Sequence, residues 1–327
     1  MKVYVVDAHM LAGYDFSVER RIIEQGGHQL VIEQCRNEEE IIKKCADADA
    51  ILDILTPMGP KSINALRRCK VLVRYGVGYD SVDVKAATAK GIKVCNVPHY
   101  CVPEVALHTV ALILAACRNL LNCTMNIRAG KFGGSGNTLR TMRRQSRQTV
   151  GLIGFGYISR AVGKYLKSAG FSIAAYDPYL DDAVFTKANV RHMELDSLFS
   201  AADIISVHAP YTRETHHMIN KEAFAKMKDG VILVNTARGP LVCEADLIHA
   251  LRSGKVGAAG LDVFEKEPFS HRDHPFFRMD NVILTPHIAY KSVESTVELF
   301  MQTAQSAVAV LGGTDIPNIV NRRELGL

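Results

Sequence analysis

The stretch Thr149-Val150-Gly151-Leu152-Ile153-Gly154-Phe155-Gly156-Tyr157-Ile158-Ser159 decides the fold. An apolar run, Val150 to Ile153, ends in Gly154-x-Gly156-x-x-Ser159 and opens a helix whose apolar positions, Ile158, Ala161, Val162, Tyr165, Leu166 and Ala169, keep helical spacing. Strand, glycine turn and helix in that order are the context in which such a fingerprint reads as a dinucleotide site rather than a plain turn. Gly154 allows the tight turn, and Gly156 lets the backbone approach a pyrophosphate held at the positive end of the helix. Ser159 stands where a third Gly is usual and is small enough to pack there. Asp177 ends the next apolar run, Ile173 to Tyr176, roughly twenty residues on. A carboxylate at that point accepts hydrogen bonds from ribose hydroxyls and repels a 2′-phosphate. No Arg follows directly, so the expected cofactor is NAD rather than NADP.

Outward from this unit the same alternation continues in both directions. Val3–Val6, Leu30–Ile32, Ala50–Leu55, Val71–Tyr75 and Ile92–Cys95 read as strands with amphipathic segments between them. Asn37 with Glu40 three residues on is a helix start. Val105 to Leu121 predicts one long helix, and a basic segment, Arg128 to Arg147, leads into the second series. That series has further strands at Ser172–Tyr176, Asp203–Val207, Gly230–Val234, Ala258–Val263 and Val282–Leu284. A final helix, Val293 to Leu311, has no sheet beside it in sequence and is expected to pack back on the first domain. Alternation of this kind makes parallel sheets with helices on both faces. The expected fold is therefore α/β with two doubly wound parallel-sheet domains. A Rossmann NAD-binding domain, residues 101–289, is inserted in a flavodoxin-like substrate domain, residues 1–100 and 290–327. Two chain crossings, near 98–104 and 287–292, predict a hinge and a cleft that closes a substrate off from water.

Three short pieces near the end carry the chemistry: Asn235-Thr236-Ala237-Arg238-Gly239-Pro240, Leu261-Asp262-Val263-Phe264 continuing into Glu267-Pro268, and Thr285-Pro286-His287. Each follows a strand, and side chains just past the carboxyl ends of such strands project toward ligand. Singly, each has a bland reading as a turn residue or a solvated loop charge; together they supply a cation, a carboxylate and an imidazole. His287 can exchange a proton near neutral pH. Glu267 can fix its tautomer, and Arg238 can hold a carboxylate in a two-bond fork and polarise a carbonyl. Those groups beside a nicotinamide fit hydride transfer on a small 2-hydroxy or 2-oxo acid. Tyr75-Gly76-Val77-Gly78 adds a second glycine turn whose backbone N–H groups suit the substrate carboxylate.

Bulk composition agrees. The chain of 327 residues is 48% hydrophobic and 22% charged, with a net charge of +5. That is enough to attract an anionic cofactor and too little to argue for nucleic acid. Arg140, Arg143, Arg144 and Arg147 would share one helical face, but a solvated lead-in explains them better than a polyanion site. Eight cysteines without a Cys-x-x-Cys pair read as reduced thiols, with no disulfide framework and no metal expected. No signal peptide or membrane span is expected from the N-terminal run or from Val105 to Cys117, so the protein is expected to be cytoplasmic, with no membrane partner.

With these motifs in hand the chain resembles the D-isomer-specific 2-hydroxyacid dehydrogenase family. The resemblance covers nearly the whole chain and rests on Val150–Gly156, Ala202–Pro210, Val234–Pro240, Leu261–Phe264 and Thr285–Ile288. It implies catalytic roles for Arg238, Glu267 and His287, and substrate binding by Tyr75, Gly76, Val77 and Gly78. It implies NAD contacts from Gly154, Gly156, Tyr157, Ile158, Asp177, His208, Pro210, Thr215, Thr236 and Ala237, with Asp262 on the nicotinamide carboxamide. It also implies a homodimer through the nucleotide domain. Members often carry Arg where Tyr157 stands, Asn where Ser81 stands and Asp where Leu107 stands. Tyr290 resembles the corepressor-like branch, in which an NAD(H)-sensing role with little turnover is the alternative to catalysis. Phosphoglycerate enzymes carry Arg in a first-domain strand-end loop, and Leu52 to Met58 has none, so an unphosphorylated substrate is expected.

Overall fold

The apolar runs form two parallel sheets in a computed structural model that describes residues 1–11, 13–132, 142–269 and 273–327. The chain divides into one unit of Met1–Cys101 with Ser292–Leu327 and a second of Val102–Lys291. In the first unit β1 (Lys2–Val5), β2 (Gln29–Ile32), β3 (Ala50–Asp53), β4 (Val71–Arg74) and β5 (Lys93–Cys95) lie in the order β2-β1-β3-β4-β5. That is the flavodoxin-like order, with its direction reversing between β1 and β3. Both faces of the sheet are covered, and β3 and β4 are near-continuous apolar runs, as a doubly covered parallel sheet requires. The helix Val293–Leu311 belongs to this unit and packs on β3, β4 and the helix Ser17–Gln25.

In the second unit β6 (Thr149–Ile153), β7 (Ser172–Tyr176), β8 (Arg191–His192), β9 (Ile204–Val207), β10 (Val231–Asn235), β11 (Val256–Leu261) and β12 (Val282–Leu284) lie in the order β12-β11-β10-β9-β6-β7-β8. All their pairings are parallel. This is the Rossmann order with a seventh strand added, and the switch point falls between β6 and β9. The helix Tyr157–Ser168 turns Ser159, Val162, Gly163 and Leu166 inward and leaves Lys164 and Lys167 out. Truncating fully buried Val162 or Leu166 to Ala would cost about 2–4 kcal/mol.

Several expectations need correction. The long helix is two, Val102–Cys117 and Leu120–Arg128, because Asn119 takes a left-handed conformation at φ 51°. Asn tolerates that conformation better than most residues. Among the described residues, Arg143, Arg144 and Arg147 do not share a helical face. Arg143 and Arg144 precede a one-turn 3-10 helix, Gln145–Arg147, and Arg140 lies outside the described residues. Arg143 instead pairs with Asp203 at 2.6 Å, where Lys228 Nζ (3.1 Å) and the Thr149 N–H (2.8 Å) also converge. Burial pushes the Asp203 carboxyl up, but these partners outweigh it and hold it below the usual range. The two-residue strand β8 has no periodicity to betray it. At Asn37 the expected cap is present, its side chain accepting the Glu40 N–H at 3.0 Å.

Candidate active site

Past β6, the Gly154 N–H donates to the Tyr176 carbonyl at 2.8 Å and the His208 N–H donates to the Ile153 carbonyl at 2.7 Å. These bonds draw the ends of β6, β7 and β9 together. Gly154 has φ 85°, and a Cβ there would lie 2.9 Å from the backbone of His208 and Ala209. Phe155, between the two glycines, is fully buried and stacks on Phe185 with centroids 5.0 Å apart. Gly156 differs from both. It caps the helix with an ordinary φ of −76°, and a Cβ there would meet nothing within 4 Å. The fold does not need glycine at 156. Close approach by a pyrophosphate at the helix N-terminus does, so the turn fits the dinucleotide that its sequence suggests.

Asp177 accepts the Phe155 N–H at 2.9 Å and the Tyr179 N–H at 3.1 Å, which sets its carboxylate beside the glycine turn. Tyr157 is exposed at the first turn, with Ile158 partly buried beside it. The Arg160 guanidinium, one turn on, lies over the Phe155 and Tyr157 rings at 5.6 and 6.0 Å, and its Nε donates to the Phe155 carbonyl. Sequence reading missed this cation, which stands near where the family pattern has Arg at 157. His208 Nε2 meets Ser206 Oγ at 2.9 Å, and desolvation pushes the imidazole down to about 4, so the ring is neutral at pH 7. Thr215 Oγ1 donates to the Pro210 carbonyl at 2.7 Å and closes that exposed turn.

The loop after β10 is shaped by Asn235, which sequence reading passed over. Its Nδ2 donates to the Arg238 carbonyl at 2.9 Å and its Oδ1 accepts the Ala237 N–H at 3.0 Å. Thr236 is buried, its hydroxyl 2.8 Å from that of Thr109. Gly239 packs against the Phe264–Glu265 backbone so closely that no Cβ could stand there. The loops after β10 and β11 are thus held in register.

Asp262 is completely buried. Its carboxylate accepts Thr285 Oγ1 at 2.5 Å and the N–H groups of Ile288 (3.0 Å) and Ala289 (2.9 Å). Its carbonyl accepts the His287 N–H at 2.7 Å. These bonds serve the turn that presents His287, itself left-handed at φ 53°. His108 Nε2 lies 3.0 Å from Thr285 Oγ1 and extends the network; in sequence it is only an interruption of an apolar run.

His287 Nδ1 and Glu267 Oε2 lie 2.6 Å apart, and Glu267 Oε1 accepts the Phe264 N–H at 3.0 Å. Burial pushes the Glu267 carboxyl up, but the hydrogen bond and charge of His287, the Phe264 N–H and the Arg238 charge together hold it below the usual range. An ionised carboxylate only accepts, so Nδ1 carries the proton and Nε2 is left for a reacting oxygen. Tyr290 stands edge-on to His287, centroids 6.4 Å apart. The structure therefore brings Arg238, Glu267 and His287 to one set of strand ends in the second unit.

In the first unit, the Tyr75 hydroxyl donates to Glu19 Oε1 and the Tyr14 hydroxyl to Glu19 Oε2, both at 3.0 Å. Burial pushes the Glu19 carboxyl up in spite of those donors. The Tyr75 side chain is thus committed to the core. What the loop offers is its backbone. The Gly76 and Val77 carbonyls accept the Val97 N–H (2.9 Å) and Asn96 Nδ2 (2.7 Å), and the N–H groups of 76–78 have no acceptor among the described residues.

The chain is similar to known proteins in sequence and in fold. The sequence model of the D-isomer specific 2-hydroxyacid dehydrogenase NAD binding domain matches residues 110–289. A hydroxypyruvate reductase from Blautia hydrogenotrophica is 36% identical over 330 residues, covering 98% of this chain and 100% of that protein. A D-3-phosphoglycerate dehydrogenase from Archaeoglobus fulgidus is 36% identical over 323 residues, and the chain spans 59% of its length. The structure of D-lactate dehydrogenase from Aquifex aeolicus with NAD and lactic acid superposes with a TM-score of 0.84 at 28% identity, over 96% of each chain.

Proposed function

The chain belongs to the D-isomer specific 2-hydroxyacid dehydrogenase family of NAD-dependent oxidoreductases, and we propose that it interconverts a small, unphosphorylated D-2-hydroxy acid and its 2-oxo acid. The contact that carries this reading is the 2.6 Å pairing of His287 with Glu267. NAD, when bound, accepts or returns the hydride. His287 Nε2 takes the hydroxyl proton in oxidation and gives it back in reduction, worth roughly 10²–10⁴-fold. Glu267 keeps Nδ1 protonated and stabilises the imidazolium. Arg238 clamps the substrate carboxylate and polarises the carbonyl. The family resemblance assigns the backbone N–H groups of Gly76, Val77 and Gly78, in the first unit, to substrate binding.

On the cofactor side, Gly154, Gly156, Tyr157 and Ile158 are assigned to the pyrophosphate turn, and Asp177 to the adenosine ribose. Pro210, Thr215 and Ala237 are assigned to the cofactor-binding surface, and His208, Thr236 and Asp262 would act mainly by shaping that surface, since their side chains are bonded within the protein. Exposed apolar side chains on the two helices after residue 101, among them Leu107, Leu120, Met125 and Ile127, support a homodimer through this unit. All eight cysteines are free, which supports a reducing compartment such as the cytoplasm. No single helix among the described residues is long and apolar enough to cross a membrane.

NADH oxidation measured against pyruvate, glyoxylate, hydroxypyruvate and 2-oxobutyrate tests the reading. Turnover of at least one is expected, with a phosphorylated 2-oxo acid poorer. Saturable NADH binding without turnover on any of them would favour the NAD(H)-sensing role instead.

A further inference from the structure

We propose that His217, Cys243 and Glu265 form a site for one transition-metal dication of the zinc class, distinct from the residues assigned to hydride transfer. One ligand atom from each residue lies within 4.8 Å of the other two, and His217 Nε2 is 3.0 Å from Glu265 Oε1. A tetrahedral zinc with bonds of about 2.0–2.3 Å sets its ligand atoms roughly 3.3–3.8 Å apart, so the ligand atoms need move by only about 1 Å to close the site. Imidazole, thiolate and carboxylate are all ligands that a borderline-soft dication accepts, and a water completes four-coordination. All three side chains are half-buried, which partly dehydrates the site yet leaves a path for an ion.

The backbone holds the three residues together before any metal arrives. The His217 N–H donates to the Pro240 carbonyl at 2.8 Å and the Cys243 N–H to the Ile219 carbonyl at 2.9 Å. Glu244 and Glu265 exchange bonds, each carboxylate accepting the other's N–H, at 2.8 and 2.7 Å. His217 is left-handed at φ 51°, and its ring stacks on His216 with centroids 3.9 Å apart. The Cys243 thiol and the Glu265 carboxylate thus lie beside the His217 imidazole, while the second carboxylate, Glu244, faces His274 at 3.5 Å and is left outside the ligand set. On binding, the Cys243 proton leaves to solvent and a sulfur lone pair forms the metal bond. The ion would then add a cross-link among three loops that hydrogen bonds and apolar packing already join. Sequence spacing gives no hint of this, because residues 217, 243 and 265 lie in separate strand-end loops.

The test uses the full chain, stripped with a chelator and titrated with Co²⁺ as a spectroscopic probe and with Zn²⁺ by calorimetry. One equivalent should bind, with a thiolate-to-cobalt charge-transfer band in the near ultraviolet and a raised Tm. Cys243→Ser should abolish the band and Cys123→Ser should keep it. Glu265→Gln or His217→Gln should weaken Zn²⁺ binding by more than roughly tenfold, since even outer partners of metal ligands cost that much. NADH titration of each variant confirms that it is folded. Failure of the wild-type chain to bind, or a band or affinity unchanged in Cys243→Ser, overturns the site. Neither result depends on whether the chain turns over a 2-oxo acid.

Discussion

The Asp262 carboxylate, wholly buried, accepts the N–H groups of Ile288 and Ala289 and thereby fixes the turn on which His287 stands. One carboxylate thus holds the backbone that carries the imidazole, and another, Glu267, holds its Nδ1. Removing either should affect turnover, but by different routes.

His287→Asn should keep NADH affinity and lose most turnover, and Glu267→Gln should lower kcat by roughly 10²-fold with NADH affinity little changed. Steady-state kinetics paired with a fluorescence titration of NADH reads both. An active His287→Asn enzyme would remove the assigned acid/base.

Asp262→Ala leaves two N–H groups and the Thr285 hydroxyl without their acceptor. It should cost at least about 2 kcal/mol of stability and lower kcat more than NADH affinity. Denaturant titration and kinetics on the same preparation check this; an unaltered midpoint would show that the turn stands without the carboxylate.

The two fingerprint glycines should separate fold from binding. Gly156→Ala adds a Cβ into open space, so stability should change by less than about 1 kcal/mol while NADH binding weakens. Gly154→Ala puts a Cβ against the His208–Ala209 backbone at φ 85° and should cost on the order of 2 kcal/mol or more. Thermal melts with and without NADH distinguish them, and equal behaviour in both variants would contradict the argument.

Asp177→Ala should narrow the preference for NADH over NADPH by on the order of tenfold, about 1.4 kcal/mol, as the repulsion of a 2′-phosphate is lost. The ratio of kcat/KM for the two cofactors measures it. A ratio that does not move would assign Asp177 to the Phe155 and Tyr179 N–H groups alone.

His208 ionises near 6.5 when unfolded and is pushed down to about 4 in the fold. Its folded value is depressed, so the unfolded chain takes up the proton first as the pH falls. The stability associated with the neutral ring is complete above pH 6.5 and is lost progressively toward pH 4. Denaturation midpoints across that interval should fall less steeply in His208→Gln than in the wild type.

Much was legible in the sequence because it depends on neighbours along the chain. The strand, glycine turn and helix of 149–168 follow from local periodicity and from what a tight turn demands. The alternation of apolar runs identifies two parallel-sheet units without reference to any contact. The residue types at 238, 267 and 287 point to a chemistry because each lies in a loop that follows a strand. Boundaries were less legible. Asn119 breaks an otherwise continuous apolar helix through one backbone angle, and β8 is too short to carry a pattern.

Tertiary structure alone decided what each polar side chain is spent on. Asp262 and Thr236 look like ligand contacts in a strand-end motif, yet their bonds run to Ile288, Ala289 and Thr109, partners far along the chain. Asn235, His108 and Arg160 look like filler and turn out to hold or flank the candidate site. Cysteine spacing argued against a metal, while folding sets Cys243 beside His217 and Glu265. The reason is physical. Strand and helix patterns are set by backbone geometry over a few residues, whereas a buried hydrogen bond or a ligand set depends on which strand ends the sheet order brings side by side.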